Sequence, residues 1–482
     1  MATTEYDVIV IGAGAVGENV ADRAAQGGLR TVIVESELVG GECSYWACMP
    51  SKALLRSGAL LRAAERVGGV REAVTGKLDV AAVLKRRDYV TSDWKDDGQV
   101  EWLNGAGIDL VRGRGVITAP REVTVTAEDG TVTVLTAKHA VGIATGSAAL
   151  LPDIPGLRES QPWTSRDATS AQHIPSSLIV LGGGVVGVEM ATAYAGFGTK
   201  VDLIARGALL SANEPFAGEL VADSLRELGA TLHLDASPTS VERTEDDKLL
   251  VRLNDGSTIE AEELLVATGR VPNTADLGLE AFGLEGGEWL HVDDTLRVLG
   301  ADGEPVDGGW LYGVGDVNHR ALLTHQGKYQ ARAAGDAMAA RARGVDVSLE
   351  PWTTYVANAD HQSVPQVTFT DPEVASVGLT AQAAEKAGYR IRVVDYAISN
   401  VSGATIAADN YTGQARMVVD EDRQVVLGVT FVGQDVGELL HSATIAVVGE
   451  VPLSRLWHAV PSYPTLSEVW LRLLETYGRP TE

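Results

Sequence analysis

Only two of the 482 residues are cysteine, Cys43 and Cys48, and both fall in one short stretch. So small a supply excludes a disulfide-stapled secreted scaffold and a structural site built from four thiolates. None of the nine histidines lies near the pair in sequence, so no metal site is expected. Basic residues are scarce relative to acids, 39 against 65, for a formal charge of −26. A surface of that sign repels phosphate backbones and anionic lipid, which argues against nucleic acid or membrane as a partner. Long apolar runs are missing too. The most apolar, Leu178 to Val188, is short, carries three consecutive glycines and ends at Glu189, so it is not a membrane span. An apolar strand pattern opens at Tyr6 with no basic segment before it, which predicts no leader peptide and a cytoplasmic protein.

What is present is organised around Gly40-Gly41-Glu42-Cys43-Ser44-Tyr45-Trp46-Ala47-Cys48-Met49-Pro50-Ser51-Lys52. In a reducing compartment a close cysteine pair is more often catalytic or metal-binding than structural, and with no further ligand at hand it reads as a redox dithiol. Five residues of α-helix advance about 7.5 Å along the axis. A disulfide tolerates Cα atoms no farther apart than about 7 Å. If the two pair, at least one therefore lies in a distorted turn. Pro50 suits a first helical turn, where no N–H is needed, which puts Cys48 near a helix N-terminus, whose positive end favours thiolate.

The length allows about three domains, and the chain shows the same grammar twice. Tyr6 to Ile11 is a β-branched run followed by Gly12-Ala13-Gly14-Ala15-Val16-Gly17, a helical stretch to Gln26 and a second strand ending at Glu35. The glycines permit a tight turn and close approach of a diphosphate to the helix end, and an acid at that distance suits a ribose hydroxyl. Ser177 to Leu181, Gly182-Gly183-Gly184-Val185-Val186-Gly187, a helix to Phe197 and the strand Lys200 to Ile204 repeat the unit. Here Ala205 stands where Glu35 stood, and Arg206 follows. No carboxylate repels a 2′-phosphate and an arginine is at hand to pair with one, so NADPH is expected over NADH. Ala144-Thr145-Gly146 and Ala267-Thr268-Gly269 repeat as strand ends, and Gly315-Asp316 places a carboxylate at the tip of another. Between the units, Ala59 to Ile108 reads as packing helices, with Trp102 among its apolar positions, and Asp109 to Ala137 as a small antiparallel insertion before a strand at Ala140 to Ile143.

Taken together, the two glycine turns, the Cys-x4-Cys with Pro50-Ser51-Lys52, Glu189 after Gly187, Ala-Thr-Gly at 267 to 269 and Gly315-Asp316 resemble the flavin-dependent pyridine nucleotide-disulfide oxidoreductases over essentially the whole chain. The resemblance implies an α/β chain with two Rossmann-like dinucleotide-binding domains and a C-terminal α+β dimerisation domain. The expected boundaries are 1–155 for the first part of the FAD-binding domain, 156–272 for the NAD(P)-binding domain, 273–350 for the second part of the FAD-binding region and 351–482 for dimerisation. It implies FAD held by Gly12, Gly14, Gly17, Glu35, Gly41, Lys52, Thr145, Gly146 and Asp316. NADPH, with NADH possible, would be held by Gly182, Gly184, Gly187, Arg206 and Gly269. It implies a Lys52–Glu189 ion pair, electrons running from the nicotinamide through FAD to the Cys43–Cys48 disulfide and on to a small acceptor, and a homodimer that completes each active site in trans.

One departure matters. Where the family carries His-Pro-Thr-x-x-Glu, this chain has Tyr463-Pro464-Thr465-Leu466-Ser467-Glu468. Tyrosine, near pKa 10, is a poor proton carrier at neutral pH beside a histidine near 6.5. Reduction of an ordinary disulfide becomes harder, which favours the alternative of a diaphorase-type quinone or metal reductase, or a soluble transhydrogenase, with electrons leaving the flavin directly. Tyr463 and Glu468 stay among the catalytic candidates, and His458, in an apolar stretch, reads as packing. The segment Gly-Glu-Cys-Ser-Tyr-Trp resembles the soluble transhydrogenases, and Ile204-Ala205-Arg206 resembles mercuric reductase, whose extra C-terminal cysteine pair this chain lacks.

Overall fold

The computed structural model describes residues 3–479, arranged as two compact units. One comprises the chain up to Pro50, Asp88–Leu150 and Gly269–His361; the other comprises Ser51–Arg87, Leu151–Thr268 and the chain from Gln362 onward.

In the first unit, strand Thr3–Ile11 runs parallel to Thr31–Glu35 on one side and to Val132–Ile143 on the other. Its two faces enter different cores, as period-2 alternation requires. Val8 and Val10 meet Val20 and Ala24 of helix Ala15–Gln26 and Met338 of helix Thr324–Ala342, while Ile9 and Ile11 meet Val123, Leu135 and Leu311. The two helices approach closely because Gly335 leaves room for Arg23: a Cβ there would stand 2.5 Å from the Arg23 Cβ. Arg23 then pairs with Asp336, its Nη2 lying 2.7 Å from Oδ1 and 2.9 Å from Oδ2.

The second unit contains a four-stranded parallel sheet in the order Thr231–His233, Lys200–Ile204, Ser177–Leu181, Glu263–Val266. Helix Val185–Gly196 is buried from Gly187 to Tyr194 without a break, mostly by apolar side chains but with Glu189 and Thr192 among them, as suits a core helix. The C-terminal part is a five-stranded antiparallel sheet in the order Pro365–Thr368, Glu373–Gly378, Val425–Gly433, Gln414–Asp420, Ile391–Ala397. All nine residues of Val425–Gly433 are buried, and helices Leu440–Val448 and Val469–Tyr477 pack against this sheet.

Some local expectations are corrected. Asp109–Arg112 is not part of an antiparallel insertion but the parallel edge strand beside Thr31–Glu35. Val132–Ile143 is one strand, pairing with Glu122–Thr126 in its first half and with Thr3–Ile11 along its length. Exposed Lys138 and His139 sit where the register shifts between Tyr6 and Val8. A bulge of this kind puts two consecutive polar residues inside a buried strand and disguises its continuity. Trp102 and His458, both read as packing residues, are exposed.

Candidate active site

In each unit a parallel strand, Thr3–Ile11 or Ser177–Leu181, ends in a glycine turn that opens a helix, and the two turns make the same contacts. Gly12 and Gly182 have φ of 101° and 128°, the left-handed region that favours glycine. A Cβ on Gly12 would lie 2.5 Å from the Ala144 carbonyl oxygen, and one on Gly182 would lie 2.2 Å from that of Ala267. On Gly17 it would fall 1.9 Å from the Gly12 carbonyl, and on Gly187 the same distance from that of Gly182. Gly14 and Gly184, which cap the two helices, are different: a Cβ there meets nothing within 4 Å. Each helix end therefore has an open side lined by first-turn N–H groups, which fits the diphosphate of a dinucleotide.

Glu35 closes the first cradle. Its oxygens accept the Ala13 N–H at 2.6 Å and the Glu37 N–H at 2.7 Å, which fixes the carboxylate and leaves lone pairs for a ribose hydroxyl. Gly41 packs on the same turn, where a Cβ would lie 2.8 Å from the Gly14 Cα. In the second unit buried Ala205 follows the strand, and Arg206 is exposed with no hydrogen bond or ion pair among the described residues.

The strand end at Thr145 and Gly146 is tied to Asn273 by three hydrogen bonds. Thr145 Oγ1 donates to the Asn273 carbonyl at 2.6 Å, the Asn273 amide donates to the Thr145 carbonyl at 2.9 Å, and the Asn273 N–H donates to the Gly146 carbonyl at 3.0 Å. Gly269, grouped by sequence with the second glycine turn, falls in the first unit, where its carbonyl accepts the Leu150 N–H. Asp316 accepts the Ser147 hydroxyl at 2.5 Å, with Arg270 Nε at 3.9 Å. Ser147 and Arg270 thus orient the carboxylate, a task that nothing in the local sequence announced.

The cysteines occupy two different helices. Cys43 lies in the short helix Gly41–Tyr45 and Cys48 opens Cys48–Glu65; Trp46, at φ −134° and ψ −4°, breaks the path between them. Both are thiols in this structure. Thr324, first residue of helix Thr324–Ala342, sets its hydroxyl 3.3 Å from Cys48 Sγ. The hydrogen bond with Cys48, then burial and the charge on Cys48, push the Cys43 thiol well above the ordinary range, against smaller opposing effects of Thr324 and Lys328. Cys48, by contrast, opens a helix and has a hydroxyl beside it, the setting that favours thiolate. Thr324 and Lys328 are functional candidates that the sequence reading missed.

In the second unit Lys52 Nζ lies 2.7 Å from Glu189 Oε2. Glu189 is buried, and its other oxygen accepts the Phe369 N–H at 2.9 Å. The Phe369 ring lies 4.9 Å from the ammonium, a cation–π contact. The structure thus brings Lys52 and Glu189 together and adds Phe369. It does not join Tyr463 to Glu468. Tyr463 is 76% exposed, whereas Glu468 is buried and accepts the Gly403 N–H at 3.3 Å. Gly403 is pressed against the backbone at Thr465, where a Cβ would come within 2.1 Å of the carbonyl carbon.

Two helix-end cradles, one closed by a carboxylate and one without, and a hydrogen-bonded thiol pair define a nucleotide-dependent redox enzyme. The family model described as pyridine nucleotide-disulphide oxidoreductase matches residues 6–344, and that of its dimerisation domain matches residues 364–473. The chain belongs to the pyridine nucleotide-disulphide oxidoreductase family. Dihydrolipoyl dehydrogenase of Chlorobaculum tepidum is 34% identical over 478 residues, covering 96% of this chain and 95% of that protein. Mercuric reductase of Staphylococcus aureus is 29% identical, covering 96% of this chain and 81% of that protein. Among solved structures, the Cu(II) complex of the HOCl-induced flavoprotein disulfide reductase RclA from Escherichia coli matches with a TM-score of 0.82 at 22% identity, over 98% of this chain and 99% of that one; this likeness bears on the fold alone. The chain is an NAD(P)H-dependent flavoprotein oxidoreductase with the expected fold class, two Rossmann-like domains and a C-terminal dimerisation domain. Among the described residues no helix is long and apolar enough to cross a membrane, and no group of three or more His, Cys, Asp or Glu side chains could hold a metal.

Proposed function

We propose that this enzyme draws electrons from NADPH and delivers them, by way of FAD and the Cys43–Cys48 disulfide, to a small acceptor, a disulfide or a related compound. The cradle at Gly12, Gly14 and Gly17, with Glu35 and Asp316, would hold FAD; that at Gly182, Gly184 and Gly187, with Arg206, would hold NADPH. FAD, when bound, supplies a two-electron carrier between nicotinamide and sulfur. The observation that carries this reading is the thiol pair itself, split between two helices, hydrogen-bonded, and faced by Thr324.

Reduction of the disulfide takes two electrons and one proton and gives a Cys43 thiol with a Cys48 thiolate. Cys43, once deprotonated, attacks one sulfur of the acceptor; a mixed disulfide forms and the first acceptor thiolate leaves and takes up a proton. Cys48 then closes on Cys43 and expels the second. Relatives named dihydrolipoyl dehydrogenase and mercuric reductase mark the range of acceptors. Ala205 and Tyr463 speak against dihydrolipoamide with NAD, and the absence of a third and fourth cysteine from the sequence speaks against mercuric ion. Titrated anaerobically with NADPH, each chain is expected to gain two reactive thiols. Failure to gain them overturns the dithiol route, and NADH doing so at the same or lower concentration overturns the choice of nicotinamide.

A second reading has one observation in its favour. Cys43 holds its proton tightly, and at Tyr463 there is no imidazole to remove it. Through this segment, which in a family homodimer would face the dithiol of the other chain, disulfide exchange is slow and a quinone or dye becomes the better acceptor. Tyr463→His is expected to raise kcat/KM for a disulfide by about tenfold or more at neutral pH. An unchanged value means that the tyrosine does not stand in the proton path.

A further inference from the structure

Glu18 stands in the first turn of helix Ala15–Gln26, four residues after Gly14. Its Oε1 is buried and has no hydrogen-bond partner among the described residues. An acid in a first turn is ordinarily favoured by the positive helix end. This helix end, however, is the one the flavin diphosphate would use, and helical side chains lean back toward the N-terminus. The Glu18 carboxyl also lies within electrostatic reach of Glu35, which accepts the Ala13 N–H of the cradle turn. The charged and titratable groups facing it are Lys328 from helix Thr324–Ala342, Glu35 from the adjoining strand end and Tyr45 from helix Gly41–Tyr45. Burial outweighs the single cation and, with the Glu35 charge adding to it, pushes the carboxyl up to about 7.

We propose that Glu18 makes flavin binding proton-linked: the chain holds the FAD diphosphate with a proton on Glu18 and loses its hold as that proton leaves. The inference rests on the assignment of FAD to the first cradle. A diphosphate diester has no proton affinity near neutrality, so when two anions meet at one helix end it is the carboxyl that gives way. The bound state then keeps the Glu18 proton more tightly than the free state does. Affinity is full below about pH 7 and falls as pH rises, by at most about tenfold per pH unit. The second cradle supplies the contrast within the same chain. Four residues after Gly184 stands Val188, buried and apolar, and no such linkage attaches to the nicotinamide.

FAD release from the full-chain holoenzyme, followed by flavin fluorescence on dilution between about pH 6 and about pH 8.5, tests this for the wild type and Glu18→Gln. The wild-type Kd is expected to rise about tenfold or more across the range, while the glutamine variant stays flat and at the alkaline end binds as the wild type does at the acid end. Equal slopes in the two proteins, or a flat wild-type Kd, overturn the linkage and leave the flavin assignment intact. Should Glu18→Gln fail to fold, the wild-type apoprotein decides alone: in weak buffer near pH 8 it is expected to take up about one proton per FAD bound, and no uptake overturns the proposal. A chain that takes no FAD at any pH overturns both.

Discussion

Cys48→Ser is expected to abolish disulfide reduction, a loss of about a thousandfold or more in kcat/KM, or about 4 kcal/mol of transition-state stabilisation. NADPH-driven reduction of a quinone or dye by the same variant is expected to fall by less than about threefold. The two activities separate because they ask different things of the chain. A disulfide acceptor must be attacked by one thiolate and released by a second, so losing either sulfur stops the cycle at the mixed disulfide or before it. A quinone accepts electrons without exchanging sulfur. Cys48 is the better residue to remove: it opens a helix, and its sulfur meets the Thr324 hydroxyl at 3.3 Å, so serine keeps a polar atom in the same place and the helix start is undisturbed. Cys43→Ser is expected to give the same loss with disulfides. Steady-state assays of both variants against a disulfide and a quinone check this. Loss of both activities together makes the dithiol obligatory in every turnover; disulfide reduction that survives Cys48→Ser sinks the dithiol route.

The residues legible from sequence were those whose geometry is set by their own neighbours. Gly12, Gly17, Gly182 and Gly187 are demanded by carbonyls five residues away or at the end of an adjoining strand, and the pattern strand, glycines, helix encodes that crowding directly. Helix rise and disulfide span predicted that a paired Cys43 and Cys48 could not share one regular helix, and Pro50 put Cys48 near a helix start; that Cys43 has a short helix of its own, with the break at Trp46, came from the structure. The residues that were not legible act across long separations. Thr324 reaches Cys48 over 276 positions, Ser147 reaches Asp316 over 169, and the Phe369 N–H reaches Glu189 over 180. None of these has a local signature, because a hydroxyl or an N–H is functional only through the partner the fold delivers. Lys52 and Glu189 were anticipated by family resemblance alone; the 2.7 Å contact and the cover of Phe369 came from the structure. Tyr463 and Glu468 show the converse. Five residues apart, they look like a pair in sequence, yet one is exposed and the other is spent on Gly403.

Gly184→Val is expected to fold, keep its flavin and lose the nicotinamide, with KM for NADPH rising by about a hundredfold or more, about 3 kcal/mol. Gly184 caps its helix at φ −81° and ψ −176°, extended backbone open to any residue, so valine brings no strain. Nor does its Cβ meet protein, since nothing lies within 4 Å of the position it would take. What the two methyl groups fill is the space beside the first-turn N–H groups, which a diphosphate must enter to be bound. Gly187→Val at the same turn would behave differently. Its Cβ would fall 1.9 Å from the Gly182 carbonyl oxygen, so the helix must shift and the fold itself is damaged. The pair of variants thus separates a lost ligand from a lost structure. Thermal melting, flavin content and NADPH kinetics measured together decide it: Gly184→Val should melt with the wild type, within about 2 °C, while Gly187→Val melts well below it. A Gly184→Val enzyme with an ordinary KM for NADPH would remove the second cradle as the nicotinamide site, and with it the role given to Arg206. The equivalent change in the first unit, Gly14→Val, caps a helix at φ −67° and ψ 174° with the same open space beside it, and there the folded chain is expected to come away without its flavin.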